Sequence, residues 1–210
     1  MIGENEGGLF MPRLVFQGAL KSHKILFLGY NENETRLLKQ LALNKCEVWH
    51  SDKPLGSFAD FDQVISFGYR HIISSQLLAT AKQPIINLHI SLLPWNRGAH
   101  PNFWSFYDGT PSGVTIHVID SGIDTGPILF KHAVSFSQRD KTFADTYKTL
   151  IQEIEALFIA NIEAILSGTY KLNPQEPGGS FHRKSELPKE FAGWDVEIET
   201  EIARLKGVLS

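Results

Sequence analysis

The chain has 210 residues, a formal net charge of −3 and one cysteine, Cys46. A lone cysteine excludes an internal disulfide, and the mildly acidic balance gives no electrostatic reason to expect a long nucleic-acid partner. No apolar run reaches the length of a bilayer span and the N-terminus lacks the charged-then-apolar order of a signal peptide, so a reducing cytoplasm is the expected setting.

Residues 1–23 are Gly-rich and weakly patterned. They read as a loosely ordered arm, with Met11 as an alternative start and regular structure expected from Lys24. Lys24–Tyr30 is a short apolar run before a polar turn, a first strand. Asn33–Asn44 carries Leu37, Leu38, Leu41 and Leu43 among polar residues and predicts a helix with one apolar face. Glu47–His50 and Gln63–Phe67 read as strands, Ser74–Ala81 as a short helix, and Ile85–His89 as the next strand. Ser91–Pro101 holds two prolines and a glycine and reads as a loop. Asn102–Asp108 concentrates Phe103, Trp104, Phe106 and Tyr107, a helix whose aromatics are expected in the core. Val114–Ile119 and Pro127–Phe136 are further strands. Thr142–Ser167 is the longest helical pattern, stopped by Gly168. The last segment is polar and Pro/Gly-punctuated, with a basic stretch at Phe181–Pro188 and a helix expected within Asp195–Leu205.

Strands alternating with helices predict an α/β fold with a doubly wound, mostly parallel sheet. The organisation expected is an arm over 1–23, a catalytic domain over 24–168 and a short C-terminal extension over 169–210. In such sheets ligands bind beyond the carboxyl ends of the strands. Two motifs fall there. The first is Asn-Leu-His-Ile-Ser-Leu-Leu-Pro at Asn87–Pro94, where Asn87 and His89 share one face of a strand. The second is Asp-Ser-Gly-Ile-Asp-Thr-Gly-Pro at Asp120–Pro127, which delivers Asp124 just past another strand. An amide can stabilise an oxyanion, an imidazole can move a proton near neutral pH, and a carboxylate can orient that imidazole. No G-x-S-x-G elbow accompanies them, so direct acyl transfer is expected rather than a covalent enzyme intermediate. His117 receives no role. A zinc site from His89, His100, His117 and Asp124 fits no compact ligand spacing, so no metal is expected.

The two motifs in this order, with the Gly-Val-Thr-Ile-His strand between them, resemble the folate-dependent formyltransferases. That family includes glycinamide ribonucleotide, methionyl-tRNA and sugar-nucleotide amine N-formyltransferases. The resemblance implies a Rossmann-like fold and 10-formyltetrahydrofolate as formyl donor, with Asn87, His89 and Asp124 as catalytic residues. It implies folate contacts from Gly68, Tyr69, Arg70, His71, Ile72 and Ile73, largely through the backbone, and from Asp120, Ser121 and Gly122. It also implies a cis bond before Pro94. In the mechanism it implies, a neutral amine attacks the formyl carbon. Asn87 and a protonated His89 stabilise the oxyanion, and Asp124 helps move the amine proton.

The expected acceptor is a small amine. Glycinamide ribonucleotide enzymes carry a Gly/Ser-rich phosphate loop after the first strand, but here the loop reads Tyr30-Asn31-Glu32-Asn33-Glu34, whose acids would repel a phosphate. The tRNA enzymes carry a further C-terminal domain, and the roughly 40 residues after the long helix are too few for an ordinary independent one. The segment Trp95–Phe106 resembles the sugar-amine enzymes, which usually have a longer C-terminal part. Trp95, Asn96, Arg97 and His100 are therefore the candidate acceptor residues, Arg97 for a phosphate or carboxylate. N-formylation of a nucleotide-linked amino sugar is the first expectation, with a homodimer compatible. The alternatives are a glycinamide ribonucleotide or methionyl-tRNA enzyme, a formyltetrahydrofolate hydrolase, and a non-catalytic folate- or nucleotide-binding module.

Overall fold

Short apolar runs in the first half of the chain become strands, most of them covered on both faces of a sheet. In the computed structural model, which describes residues 10–207, these are β1 (Arg13–Phe16), β2 (Lys24–Gly29), β3 (Glu47–Ser51), β4 (Gln63–Phe67) and β5 (Ile86–His89). Contacts divide the chain into two units. One comprises the residues up to Leu88 with Val118–Ser121 and Ile159–Tyr170; the other comprises His89–His117, Gly122–Phe158 and the chain from Lys171 onward.

In the first unit the strands lie in the order β1-β3-β2-β4-β5. β2 pairs in parallel with β3 and β4, and β4 with β5. Leu26, Leu28, Phe58, Val64 and Ile85 form its core, each at most 2% exposed. Full burial of one such side chain is worth about 1.5–3 kcal/mol. Helices α1 (Leu37–Leu43) and α2 (Ser75–Leu78) connect the strands, and Ser74 caps α2 by accepting from the Leu77 amide. Helix α1 starts four residues later than expected, because Asn31–Thr35 folds into a turn of its own, the Glu34 and Thr35 amides both donating to the Asn31 carbonyl.

The expected loose arm is corrected in part. Arg13–Phe16 is a strand, antiparallel to β3, while residues 1–9 of the arm lie outside the described residues. Leu14 and Phe16 in that stretch have the β-propensity the glycines around them obscured.

The second unit holds the two-residue strand β6 (Arg97–Gly98), helix α3 (Pro101–Tyr107), the antiparallel pair β7 (Gly113–Val118) and β8 (Ile128–Ala133), and most of helix α4 (Phe143–Ala160). Thr142 and Asp145 start α4 with a reciprocal capping box. The single long helix expected over Thr142–Ser167 is broken at Asn161, whose φ of −115° is non-helical; α5 (Ile162–Ser167) follows and ends at Gly168, φ +70°.

The C-terminal segment is not an appendage. Strand β9 (Phe181–His182) pairs in parallel with β6, so the expected loop at Ser91–Pro101 contains a strand. Helix α6 (Ile198–Leu205) brings Ile198 into a cluster with Phe103, Trp104 and Phe143. Trp104 also stacks on His182, with centroids 3.9 Å apart and planes at 6°. Phe103 and Trp104 of α3 are core, as their composition predicts, with Phe106 and Tyr107 half-buried against them. The strands of the first unit form a mostly parallel sheet with β1 as its antiparallel member, and β7 and β8 pair antiparallel in the second.

Candidate active site

Strand β5 ends at His89, and the chain then turns sharply. Ser91 donates to the Trp95 carbonyl, Thr115 donates to the Ser91 carbonyl at 2.7 Å, and the Leu93–Pro94 bond is cis, as the resemblance implies. The turn passes Asn96 directly beside the histidine that precedes it. His89 is 8% exposed, and its Nε2 lies 3.2 Å from the Asn96 carbonyl oxygen. A carbonyl only accepts, so Nε2 carries the proton and Nδ1 is the basic atom. Nδ1 is 3.8 Å from Asp124 Oδ2, in ion-pair range but too long for a direct hydrogen bond.

Asp124 is gripped from several sides. Gly98 N–H donates to its Oδ2 at 2.9 Å, and His117 Nε2 is 3.4 Å from its Oδ1. Burial raises the Asp124 carboxyl, but the two imidazoles and the Gly98 amide outweigh it and hold the group well below the ordinary carboxylate range. His89 is moved the other way by its own burial: loss of solvent lowers it below the ordinary histidine value, although the Asp124 charge opposes the shift. Asp124 is thereby held ionised at neutral pH, with His89 the titratable group facing it.

Local backbone strain marks the same place. Among the described residues five non-glycines have positive φ, and three of them are Asn96 (53°), His100 (55°) and Asp124 (52°). Such conformations are uncommon for side chains other than Asn, Asp and His, and gather at functional sites. Gly98 has a φ of +87°, and a Cβ there would stand 2.3 Å from the His182 carbonyl oxygen. Only glycine lets β6 approach β9 while aiming its amide at Asp124.

The expected residues separate into groups. Asn87 is half-buried on β5, two residues before His89 and in register with Ser66. Asn96, expected to meet an acceptor, is instead 1% exposed. Its backbone amide donates to Ser180 Oγ, its side-chain amide donates to Thr110 Oγ1, and its side-chain oxygen accepts from Ser180. Asn96 thus holds His89 through its carbonyl and belongs to the scaffold. Trp95 remains exposed at 36%. Arg97 donates from Nε to Gln175 at 3.1 Å, and His100 packs its ring against Trp194, centroids 5.4 Å apart.

Of the expected folate residues, Gly68, Arg70, His71, Ile72, Ser121 and Gly122 are exposed, Tyr69 and Asp120 are half-buried, and Ile73 is buried. Tyr69 donates its hydroxyl to the Lys53 carbonyl, and His71 Nε2 lies 3.1 Å from the Asp52 carbonyl. These side chains anchor the loop, while Ile72 projects at 90% exposure. Gly68 has φ +71° and lies on the Tyr30 ring, where a Cβ would come within 2.6 Å.

Three residues escaped the sequence reading. His117 sits in a strand buried at every position, and a histidine in such a run must find a polar partner; that signal was readable. Gln175 and Ser180 lie far along the chain in a polar stretch and carry no local signal.

A family profile described as formyl transferase matches residues 53–162. The methionyl-tRNA formyltransferase of Clostridium botulinum is 38% identical over 134 residues, which is 63% of this chain and 42% of that protein. That of Agathobacter rectalis is 35% identical over 153 residues, 70% of this chain and 48% of that protein. The chain spans less than half the length of these curated relatives. Among solved structures, the formyltransferase PseJ from Anoxybacillus kamchatkensis, in complex with UDP-4,6-dideoxy-4-formamido-L-AltNAc and tetrahydrofolate, is 39% identical with a TM-score of 0.78, covering 86% of this chain and 98% of that one. A sugar N-formyltransferase from Shewanella sp. shares the fold at 20% identity and a TM-score of 0.71, covering 87% of each chain.

Proposed function

The chain belongs to the formyl transferase family, and from that membership and the geometry around His89 we propose that it transfers a formyl group from 10-formyltetrahydrofolate to the amino group of a nucleotide-linked sugar. The observation that carries the reading is the buried His89–Asp124 pair, with Nε2 of His89 on the Asn96 carbonyl and Nδ1 3.8 Å from the Asp124 carboxylate.

Bound 10-formyltetrahydrofolate supplies an electrophilic formyl carbon. The loop over Gly68–Ile73 fits a flat heterocycle: Ile72 offers an exposed apolar contact, and Tyr69 and His71 turn their polar ends back onto Asp52 and Lys53. Asp120, Ser121 and Gly122 would add contacts. The amine nitrogen forms its bond to the formyl carbon, the carbon–nitrogen bond to the folate breaks, and one proton passes from the amine to the leaving nitrogen. His89 Nδ1 is suited to carry that proton, because Asp124 stabilises the imidazolium as it forms. Asn87 donates to the negative charge developing on the formyl oxygen, the role in which one donor is worth about 3–4 kcal/mol.

The loop after β2 supports a sugar amine over glycinamide ribonucleotide, but for a better reason than its acids. Arg13 Nη2 donates to both Glu32 carboxylate oxygens at 2.8 Å, which weakens the repulsion expected from that acid. The loop amides, however, are already engaged: Asn31 donates to Glu34, Asn33 to the Asn31 side chain, and Glu34 and Thr35 to the Asn31 carbonyl. A phosphate would have to displace them all. The likeness to PseJ over 98% of its length supports a nucleotide-sugar amine. A methionyl-tRNA acceptor is the second reading, favoured by the curated relatives at 38% identity.

Absorbance at the formation of tetrahydrofolate, with 10-formyltetrahydrofolate and a panel of UDP- and dTDP-linked amino sugars, glycinamide ribonucleotide, methionyl-tRNA and a no-amine control, tests this. Turnover confined to amino sugars is expected. Turnover without amine identifies a hydrolase, and folate binding without any turnover identifies a binding module.

A further inference from the structure

Residues 171–179 are exposed at every position except Gln175. Its side chain turns inward, donating twice and accepting once. Nε2 donates to the Asp124 carbonyl at 2.7 Å and to the Gly126 carbonyl at 2.9 Å. Oε1 accepts from Arg97 Nε at 3.1 Å. Two of these partners matter to the chemistry. Asp124 stands at φ +52°, a conformation that persists only where its surroundings enforce it, and two pinned carbonyls enforce it. Arg97, with Nε committed to Gln175, retains its two terminal nitrogens for a paired grip on an oxyanion.

The arrangement closes on itself. Arg97 and Gly98 are neighbours on β6, and Gly98 N–H donates to the Asp124 carboxylate. Asp124 is therefore held at its side chain by Gly98 and at its main chain, through Gln175, by Arg97. A shift of Arg97 reaches the carboxylate by both routes.

We infer that Gln175 is a positioning residue that couples the grip of Arg97 on an anionic group of the acceptor, of the diphosphate class, to the placement of the catalytic Asp124. The inference rests on the formyl-transfer reading for its kinetic test and on geometry alone for its spectroscopic one. A glutamine suits the role because one group must donate twice and accept once without charge. Glutamate would keep the acceptor for Arg97 but turn an oxygen toward two carbonyls. Leucine would lose both connections.

The test compares wild type, Gln175→Glu and Gln175→Leu in the full chain, with the amino-sugar substrate that wild type turns over. In Gln175→Glu, kcat is expected to fall about 10–100-fold, the usual effect of losing an outer-shell partner, while the acceptor KM stays within about threefold. In Gln175→Leu both parameters worsen. UDP binding by calorimetry follows KM, kept in the glutamate variant and weakened in the leucine one. Near-wild-type kcat in Gln175→Glu, or equal changes of kcat and KM in both variants, overturns the coupling. Should the leucine variant fail to fold, the kcat–KM split in the glutamate variant decides. Should wild type turn over no amine, the formyl-transfer reading fails on its own. The coupling is then decided by the NMR chemical shifts of the His89 ring, which are expected to move in Gln175→Glu as the carboxylate moves; shifts matching wild type overturn it.

Discussion

His89 Nε2 faces the main-chain oxygen of Asn96 at 3.2 Å, and this contact assigns the tautomer of the histidine. The proton sits on Nε2, and Nδ1 looks toward Asp124 Oδ2 at 3.8 Å. Long-range 15N–1H NMR at pH 8 is expected to show one protonated Nε2 and a lone-pair Nδ1 for His89. A protonated Nδ1 would remove its role as proton carrier.

Replacement of the proposed catalytic groups separates binding from chemistry. His89→Ala is expected to lower kcat about 10²–10⁴-fold and Asn87→Ala about 10²–10³-fold. Tetrahydrofolate affinity, measured by fluorescence, should change little, since the loop proposed to hold it lies elsewhere in the sequence. Near-normal turnover in either variant would sink the mechanism.

The two shifted groups also tie folding to pH. Burial lowers His89 below its ordinary value of 6.5, so below that pH the unfolded chain binds a proton that the folded one refuses, and stability falls as pH falls. Asp124 is depressed below its ordinary 3.8; its contribution is present above that value and lost as pH falls through the folded value. Both act in one direction, in successive windows. Chemical denaturation of wild type should lose stability from pH 6.5 downward with an extra slope of at most about 1.4 kcal/mol per pH unit for the one proton. His89→Gln should lack that extra slope, and equal slopes would show that His89 titrates normally.

Gly98 meets both a conformational and a steric demand. At φ +87°, with the His182 carbonyl 2.3 Å from any added Cβ, Gly98→Ala should destabilise the protein by about 1–3 kcal/mol. Turnover should fall as well, because the displaced amide is the one that holds Asp124 Oδ2. A variant with wild-type melting temperature would show that β6 and β9 separate easily.

Asn96 is buried and hydrogen-bonded through its side chain to Thr110 and Ser180, whereas Trp95 beside it is exposed. Asn96→Ala should therefore reduce stability by about 1–3 kcal/mol, through the unpaired Thr110 and Ser180 hydroxyls. Trp95→Ala should leave the melting temperature nearly unchanged. The reverse ranking in thermal melts would return Asn96 to the substrate side.

The sequence made legible whatever depends on short-range pattern. β2, β4 and β5 lie where their apolar runs stand, and Asn87, His89 and Asp124 lie at or just beyond strand ends. What stayed hidden depends on long-range pairing. Asn96 looks like a loop residue until Ser180, far along the chain, is placed against it. Gln175 looks like any polar residue between prolines. β1 was hidden by its glycine-rich surroundings. The helix expected across Thr142–Ser167 kept its apolar periodicity through Asn161, and periodicity does not report one residue leaving helical geometry.

Strand β1 has a consequence for how the sheet ends. It covers β3 antiparallel, with a register irregularity between Leu14 and Phe16, and its Arg13 reaches Glu32. An irregular, charge-bearing outer strand is a poor template for another chain's backbone. β3 beneath it carries the fully buried Val48. A version trimmed to begin at Lys24 would offer that strand's open hydrogen-bonding edge to its neighbours in solution. One beginning at Met11 would keep it covered. Among the described residues β1 is thus what covers the β3 edge, and light scattering of the two truncations at equal concentration is expected to show more association in the shorter one.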